Sequence, residues 1–407
     1  MSGVCGKIGS TLFEYETLKV VHIRSKKVGF INRLIQLVVI CYVIGYAIVY
    51  EKGYQDTDLV TSGVTAKLKG VAYTDLNSDP AIGERIWDMA DYHIPPQQSS
   101  AFYVMTNMHV TPFQKNGTCA EKPSIKSCTN GNDCAAGELV PNGDGRMTGN
   151  CVQYNNTEPV GRMSCQIMGW CPVEDEDPTK SRGAVLEQDA RNFTVFIKNS
   201  IEFKKFTYKA RNINDDVNNR TYLEKCNYHP DTDAFCPIFR LEDIFRYAGI
   251  LEQWPQATKD GAVMAIDILW NCNLDSLQFK CAPEYKFRRV DNPAVKLSPG
   301  FNFRFGKYYK LQEDGQVVQY RDLTKSYGVL FLINVEGEAG KFSPVPLFIN
   351  LGTGLALLSV ATVLCDFITL NLLKKRTFYR EKKYEDVDVD DGFTILKRSH
   401  DDSTSIG

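Results

Sequence analysis

Five side chains carry the types and spacings that recognise a polyanion. Lys67 and Lys69 stand two apart in Lys67-Leu-Lys69. On a strand, residues two apart share a face, so both ammonium groups point the same way. Side by side they repel unless an anion lies between or beside them; the other reading is a solvated strand face. Asn302 and Arg304 repeat the spacing in Phe301-Asn-Phe-Arg-Phe305, with Phe303 and Phe305 on the opposite, core-facing side. Lys325 completes the set in Leu323-Thr-Lys-Ser-Tyr327. Arginine forks onto phosphate oxygens and lysine supplies point charge, while the asparagine amide adds a donor. These segments lie far apart in sequence, and no local motif forces them together. There is no Walker A loop and no GxGxxG turn, so the usual intracellular modes of nucleotide binding are excluded.

The elements that must position them lie between two apolar runs. The run at 346–373 is long and apolar enough to cross a bilayer as one helix. Its middle is small and weakly polar, with Asn350, Gly352, Thr353, Gly354, Ser359 and Thr362. Ile349, Thr353 and Leu357 recur four apart and fall on one stripe. Asp366 near its end is costly in lipid unless it faces protein or water. Such a helix either anchors and packs against partners or lines a pore. The run at 34–50 is at the short end for spanning. It starts too far in for a cleaved signal peptide, and no small-x-small pattern follows it. Arg24, Lys26, Lys27 and Arg33 precede it, and Lys374, Lys375, Arg376, Arg380, Lys382 and Lys383 follow the second run. The positive-inside rule therefore places both termini in the cytosol and the middle outside. The expected organisation is a cytosolic head at 1–33, spans at 34–50 and 346–373, an extracellular domain at 51–345 and a cytosolic tail at 374–407.

The chain of 407 residues carries 13 cysteines. Ten of them, Cys119, Cys128, Cys134, Cys151, Cys165, Cys171, Cys226, Cys236, Cys272 and Cys281, lie between the spans. An even set on one side implies an oxidising compartment and a disulfide framework. No pair has CxxC spacing, which argues against zinc. Sequons at Asn116, Asn155, Asn192 and Asn219 agree with an extracellular middle. The formal net charge is −2, so no global basic footprint for nucleic acid exists.

Stretches near 57–73, 102–111, 192–199, 263–270, 285–290, 301–309 and 326–336 read as strands. Residues 241–249 read as a short helix, and long helices are not expected in the middle. An antiparallel, β-rich domain follows. Residues 119–171 are rich in Gly, Asn and Asp and hold six cysteines, which suits a disulfide-stapled subdomain. The acidic run Glu174-Asp-Glu-Asp177 comes next. It is either solvated charge or, beside a nucleotide, part of a divalent-cation site through Glu174 and Asp175.

The sequence resembles the ATP-gated cation channels, the ionotropic purinergic receptors of the trimeric kind. The likeness is carried along nearly the whole chain. It begins with Tyr15-Glu-Thr-Leu-Lys19, Lys52-Gly-Tyr-Gln55, Lys67-Leu-Lys69 and Met105-Thr-Asn107. It continues through Gly169-Trp-Cys-Pro-Val-Glu174, Asn192-Phe-Thr194, Phe235-Cys-Pro-Ile-Phe-Arg-Leu241, Asn302-Phe-Arg304 and Leu323-Thr-Lys325. It ends with Gly340-Lys-Phe342, Leu364-Cys-Asp366 and Tyr379-Arg-Glu-Lys-Lys383. Each motif is short, but their order and spacing together are specific. The resemblance implies two transmembrane helices per subunit, a β-sandwich ectodomain with a cysteine-rich head at 119–171, and a homotrimer or heterotrimer in membrane lipid at the cell surface. It implies ATP, with or without Mg²⁺ and with no required cofactor, bound between subunits. One subunit would offer Lys67, Lys69 and Thr194, with Phe196 and Ile238 around base and ribose; its neighbour would offer Asn302, Arg304 and Lys325. The second span would line a non-selective Na⁺, K⁺ and Ca²⁺ pore at Ile349, Thr353 and Leu357. The resemblance also implies disulfides 119–171, 128–151, 134–165, 226–236 and 272–281, which spacing alone does not select. Ser359 stands where many members have glycine, a departure that bears on hinging of this helix.

Two rivals are weaker. An enzyme that hydrolyses nucleotides would need a nucleophile or metal-held water, and His93, His109 and His229 are scattered without ligand spacing. A degenerin-like two-pass channel gated by another ligand shares the topology but has no use for the five polyanion-binding side chains. The reading is therefore a channel and not an enzyme.

Overall fold

The computed structural model describes residues 26–75, 82–95, 99–154, 161–174, 185–213, 219–276, 281–294, 300–371 and 376–378. The chain divides into two units, one of Met1–Asp56 with Phe342–Gly407 and one of Thr57–Lys341.

In the first unit the apolar runs form helices. The leading helix begins at Lys26–Ile40 and continues with wider π winding through Cys41–Tyr50. It starts well before the expected 34, because Val28, Phe30 and Ile31 extend the apolar pattern and nothing there breaks a helix. The stretch Val28–Tyr50 therefore has ample length to span, as does the second helix, Pro344–Asn371. The two helices pack where the second is small. A Cβ on Gly354 would sit 2.6 Å from Val43 Cγ1, so glycine permits the approach. Gly354, Ala361, Cys365 and Thr369 are buried there. Asn350 Nδ2 donates to the carbonyl of Gly53 at 2.6 Å.

The second unit is built of strands, with helices no longer than seven residues among those described. In chain order they are β1 Gln55–Leu59, β2 Thr61–Lys69, β3 Ala72–Thr74, β4 Arg85–Trp87, β5 Ala101–Ala120, β6 Gly145–Gln153, β7 Met163–Cys171 and β8 Thr194–Phe203. They continue with β9 Tyr208–Arg211, β10 Ile238–Arg240, β11 Ala262–Leu269, β12 Cys272–Asn273, β13 Glu284–Arg289, β14 Asn302–Glu313, β15 Gln316–Glu336 and β16 Glu338–Phe342. One sheet runs β13-β11-β15-β5-β7-β6, with β14 added on β15. A second runs β10-β8-β2, with β9 on β8. Leu68, Val195, Ile197 and Phe239 from the smaller sheet and Tyr103, Met264, Ile266 and Phe331 from the larger share one buried core. That is the expected sandwich.

Two features depart from the sequence-based reading. The domain is not wholly antiparallel: β11 pairs with β15 and β12 with β16 in parallel. Period-two patterning reports burial on a face and carries no strand direction, so it could not distinguish them. Strands β5 and β15 also run for 20 and 21 residues, far beyond the expected segments. The outer half of β5 leaves the main core and pairs with β7 in the cysteine-rich region, where its polar residues hide the strand pattern.

The region 119–171 has its own small core of Cys128, Cys134, Met147, Cys165 and Ile167, which Val173 just beyond it completes. Disulfides join Cys119–Cys171, Cys128–Cys151 and Cys134–Cys165 here, and Cys226–Cys236 and Cys272–Cys281 elsewhere. Cys41 and Cys365 are free. The hairpin of β14 and β15 turns at Asp314-Gly315, both with positive φ, as a tight two-residue turn requires. From that turn the register runs unbroken until Asn302 faces Tyr327.

Candidate functional site

The cross-strand register of the smaller sheet collects the first group of predicted residues. Lys67 lies opposite Phe196, and Phe196 opposite Ile238. The next outward row is Lys69, Thr194 and Arg240. The row between them, Leu68, Val195 and Phe239, is buried at 1%, 0% and 1% exposure. Because faces alternate strictly, burying that row forces its neighbours outward. Lys67 and Lys69 are exposed, and Thr194, Phe196 and Ile238 are half-buried. The arrangement places two ammonium groups beside a hydroxyl, an aromatic ring and an aliphatic side chain. Such a surface can take a phosphate tail and an adjoining planar base.

Arg240 was not singled out from sequence, yet it completes the second row. Its position two residues after Ile238 in a strand carries the signal. Its guanidinium is clamped by Asp243, Nε to Oδ2 at 3.0 Å and Nη2 to Oδ1 at 2.9 Å. Those bonds hold the Arg240 guanidinium above its ordinary range. At Asp243 burial works to raise the carboxyl, but the bonds from Arg240 and Asn227 outweigh it and hold the group below the usual range. An open cleft of about 570 Å³ lies alongside, lined in part by Thr194, Arg240 and Asp243.

The second predicted group sits on the larger sheet. Arg304 on β14 is directly opposite Lys325 on β15, and Asn302 is two residues along the same strand face. Ser326, next to Lys325, is fully buried and hydrogen-bonds the Tyr103 hydroxyl at 2.8 Å. Phe303 turns inward against the Tyr103 ring. Those two contacts fix which way Arg304 and Lys325 face. Lys325 also lies 5.4 Å from the centroid of the Tyr327 ring.

Arg304 is not idle in this structure. Its Nε donates to Glu174 Oε2 at 2.7 Å. Glu174 is buried, and its other oxygen, Oε1, has no hydrogen-bond partner. The first residue of the acidic run is therefore drawn in from solvent and onto Arg304. Asp175, the other candidate cation ligand, lies outside the described residues, as does the sequon residue Asn155. The sequon residues Asn116, Asn192 and Asn219 are exposed.

The structure brings the predicted residues into two groups on two separate sheets. Ile349, Thr353 and Leu357 lie together on an exposed stripe of the helix Pro344–Asn371. That stripe is turned about 100° of helix rotation from the buried Gly354 and Ala361 face. The Thr353 hydroxyl donates to the carbonyl of Asn350 at 3.0 Å. Two cysteine clusters have metal-like proximity, Cys128 with Cys134 and Cys165, and Cys226 with Asp233 and Cys236. All of these cysteines are in disulfides and offer no thiolate.

Comparison with known proteins agrees with this layout. The family model described as ATP P2X receptor matches residues 13–386. P2X purinoceptor 4 of Bos taurus is 46% identical over 391 residues, covering 95% of this chain and 97% of that protein. P2X purinoceptor 5 of Homo sapiens is 42% identical over 388 residues, covering 94% and 84%. A crystal structure of an invertebrate P2X receptor from the Gulf Coast tick, in the presence of ATP and Zn²⁺, superposes with a TM-score of 0.74 at 43% identity, covering 83% of this chain and 99% of that one. A chicken P2X7 receptor structure with the competitive antagonist TNP-ATP gives 0.71 at 37% identity, covering 84% and 99%. With the family model spanning nearly the whole chain and relatives matched over most of their length, this protein is a member of the P2X receptor family.

Proposed function

We infer that this chain is one subunit of an extracellular ATP-gated cation channel. The nucleotide binds between two subunits and opens a pore lined by the second membrane helix. The observation that carries the reading is the pair of cation-bearing faces on separate sheets, Lys67 with Lys69 and Arg304 with Lys325. Neither face encloses a triphosphate alone; two of them from adjacent subunits supply four positive side chains from two sides. Thr194, Phe196 and Ile238 would then meet base and ribose, and Asn302 would add an amide donor. The assembly is a homotrimer or a heterotrimer with related subunits, with both termini in the cytosol. Ile349, Thr353 and Leu357 would face the ion path. Mg²⁺ on the phosphates, if bound, would find Glu174 and Asp175 nearest by sequence; Glu174 must first release Arg304.

Whole-cell current during ATP application tests the reading, with Lys69→Ala beside the wild type and surface protein measured for both. Loss of one charged partner of a phosphate costs about 1.5–3 kcal/mol, so the half-maximal ATP concentration should rise roughly ten- to a hundredfold. Unchanged ATP sensitivity in Lys69→Ala would reject the site.

A further inference from the structure

We propose that His109 is a further phosphate-side binding residue, one that in its protonated form adds a third cation to the Arg304 and Lys325 pair. The proposal rests on the reading of that pair as a phosphate-binding surface. In the larger sheet Arg304 on β14 faces Lys325 on β15, and Lys325 faces His109 on β5. The three form one cross-strand row. The adjacent row is Phe303, Ser326 and Met108, and it points into the core, with Ser326 and Met108 buried. The row of Arg304, Lys325 and His109 must therefore point outward together. Directly paired residues of antiparallel strands stand about 5 Å apart, and their side chains lie side by side. His109 is half-buried, so its ring is held by the sheet without being sealed from it. An imidazolium has two N–H donors, both suited to phosphate oxygens.

Most of the charged groups around this row are engaged by partners of their own, and one carboxylate, Glu174, is bound to Arg304 of the row itself. Besides Lys325, β15 brings Arg321, which donates to Gln114 at 2.8 Å, and Asp322, which accepts from the Phe113 N–H and the Tyr309 hydroxyl. From β14 comes Arg304, paired with Glu174. Three short helices pack on β5: Met89–Tyr92, Glu187–Ala190 and Trp254–Asp260. Asp91 pairs with Arg85, Glu187 with Arg191, and Asp189 accepts from the Tyr73 N–H. Lys259 and Asp260 end the third helix. The residue in register with His109 is a lysine. A proton on His109 and a phosphate at this row therefore favour each other, and each raises the affinity for the other by the same factor.

The test is the ATP concentration–response of intact receptors at two pH values, for wild type, His109→Gln and His109→Lys. ATP and the other histidines also titrate, so the informative quantity is the ratio of each variant to wild type at the same pH. Histidine ordinarily changes charge between about pH 5 and 8, which makes about pH 8 and about pH 6 the useful pair. The expected result is that His109→Gln matches wild type at the alkaline value and needs about three- to tenfold more ATP at the acid value. His109→Lys should match the acid wild type and need correspondingly less ATP than wild type at the alkaline value. A His109→Gln ratio that is the same at both pH values overturns the proposal. So does a His109→Lys receptor no more sensitive than wild type when alkaline. Lys325→Ala run alongside separates the two levels of inference. If it too keeps wild-type sensitivity, the phosphate surface itself is wrong; if it loses sensitivity while His109→Gln stays pH-independent, only the role of His109 falls.

Discussion

Glu174→Gln isolates what the contact with Arg304 does. In the structure Arg304 Nε is 2.7 Å from Glu174 Oε2, with the arginine side chain 43% exposed and the glutamate 5% exposed. Unit charges about 4 Å apart attract by roughly 4 kcal/mol at the effective dielectric of a protein surface. Against this stands the unpartnered buried oxygen Oε1, whose lost hydration costs about 1–3 kcal/mol. The difference is about 1–3 kcal/mol in favour of the ligand-free state, and solvent screening of the half-exposed arginine trims it to about 1–2 kcal/mol. A phosphate that needs Arg304 must displace Glu174. Glutamine preserves the shape and removes the charge, so free ATP should act at roughly five- to thirtyfold lower concentration. The assay is the ATP concentration–response at controlled free Mg²⁺, with surface protein checked. Unchanged or poorer sensitivity to free ATP would refute the competition between Glu174 and phosphate for Arg304. Magnesium-bound ATP provides the second arm. If Glu174 also helps hold Mg²⁺, the gain with magnesium-bound ATP should be smaller than with free ATP; equal gains count against a role in coordination.

Two further outcomes follow from packing and charge. Asp291 accepts from the Val263 N–H at 2.8 Å and from Arg289 at 2.9 and 2.7 Å, pinning the start of β11. Burial works to raise its carboxyl, but the Arg289 bonds and the backbone donor prevail and hold it below the ordinary carboxylate range. A lowered folded value stabilises the fold above the unfolded value near 3.9, and that contribution fades as pH falls through the folded one. Asp291→Asn should therefore lower the thermal stability of the purified receptor at neutral pH by about 3 kcal/mol, and the gap to wild type should close in strong acid; a gap that persists there is contrary evidence. In the membrane helices, Gly354→Val drives a side chain into Val43, at a cost of about 1–3 kcal/mol. Surface expression should fall and recover with Val43→Ala as a second change, whereas full expression of the single variant would mean the helices do not pack there.

Much of this fold is legible in the residues because its signals are local. The spans announce themselves by hydropathy, and the alternation in Lys67-Leu-Lys69 and Phe301-Asn-Phe-Arg-Phe305 correctly separates outward from inward faces. What stays hidden is register between strands. Lys325 sits within a 21-residue strand that sequence places as beginning at 326, because Arg321 and Lys325 break the apolar pattern on the outward face and Asp322 interrupts it on the inward one. The same polar face conceals that His109 is its neighbour. Arg240 escapes notice because its strand has only three residues. The Arg304–Glu174 pair spans 130 positions, and nothing in either local stretch points to the other. The parallel pairing of β11 with β15 likewise depends on the path between them.

The central claim is that ATP lies between subunits, with Lys67 and Lys69 acting across the boundary from Arg304 and Lys325. Co-expression of Lys69→Ala subunits with Arg304→Ala subunits tests it most directly. Each variant alone has every site damaged. In mixed trimers an intersubunit site regains one intact pair, an unmodified Lys69 face against an unmodified Arg304 face, wherever the two subunit types meet in the right order. The predicted result is a current component with near wild-type ATP sensitivity that neither variant shows alone. Mixed trimers proven by co-purification that still respond only at the raised ATP concentrations of the parents would contradict the account.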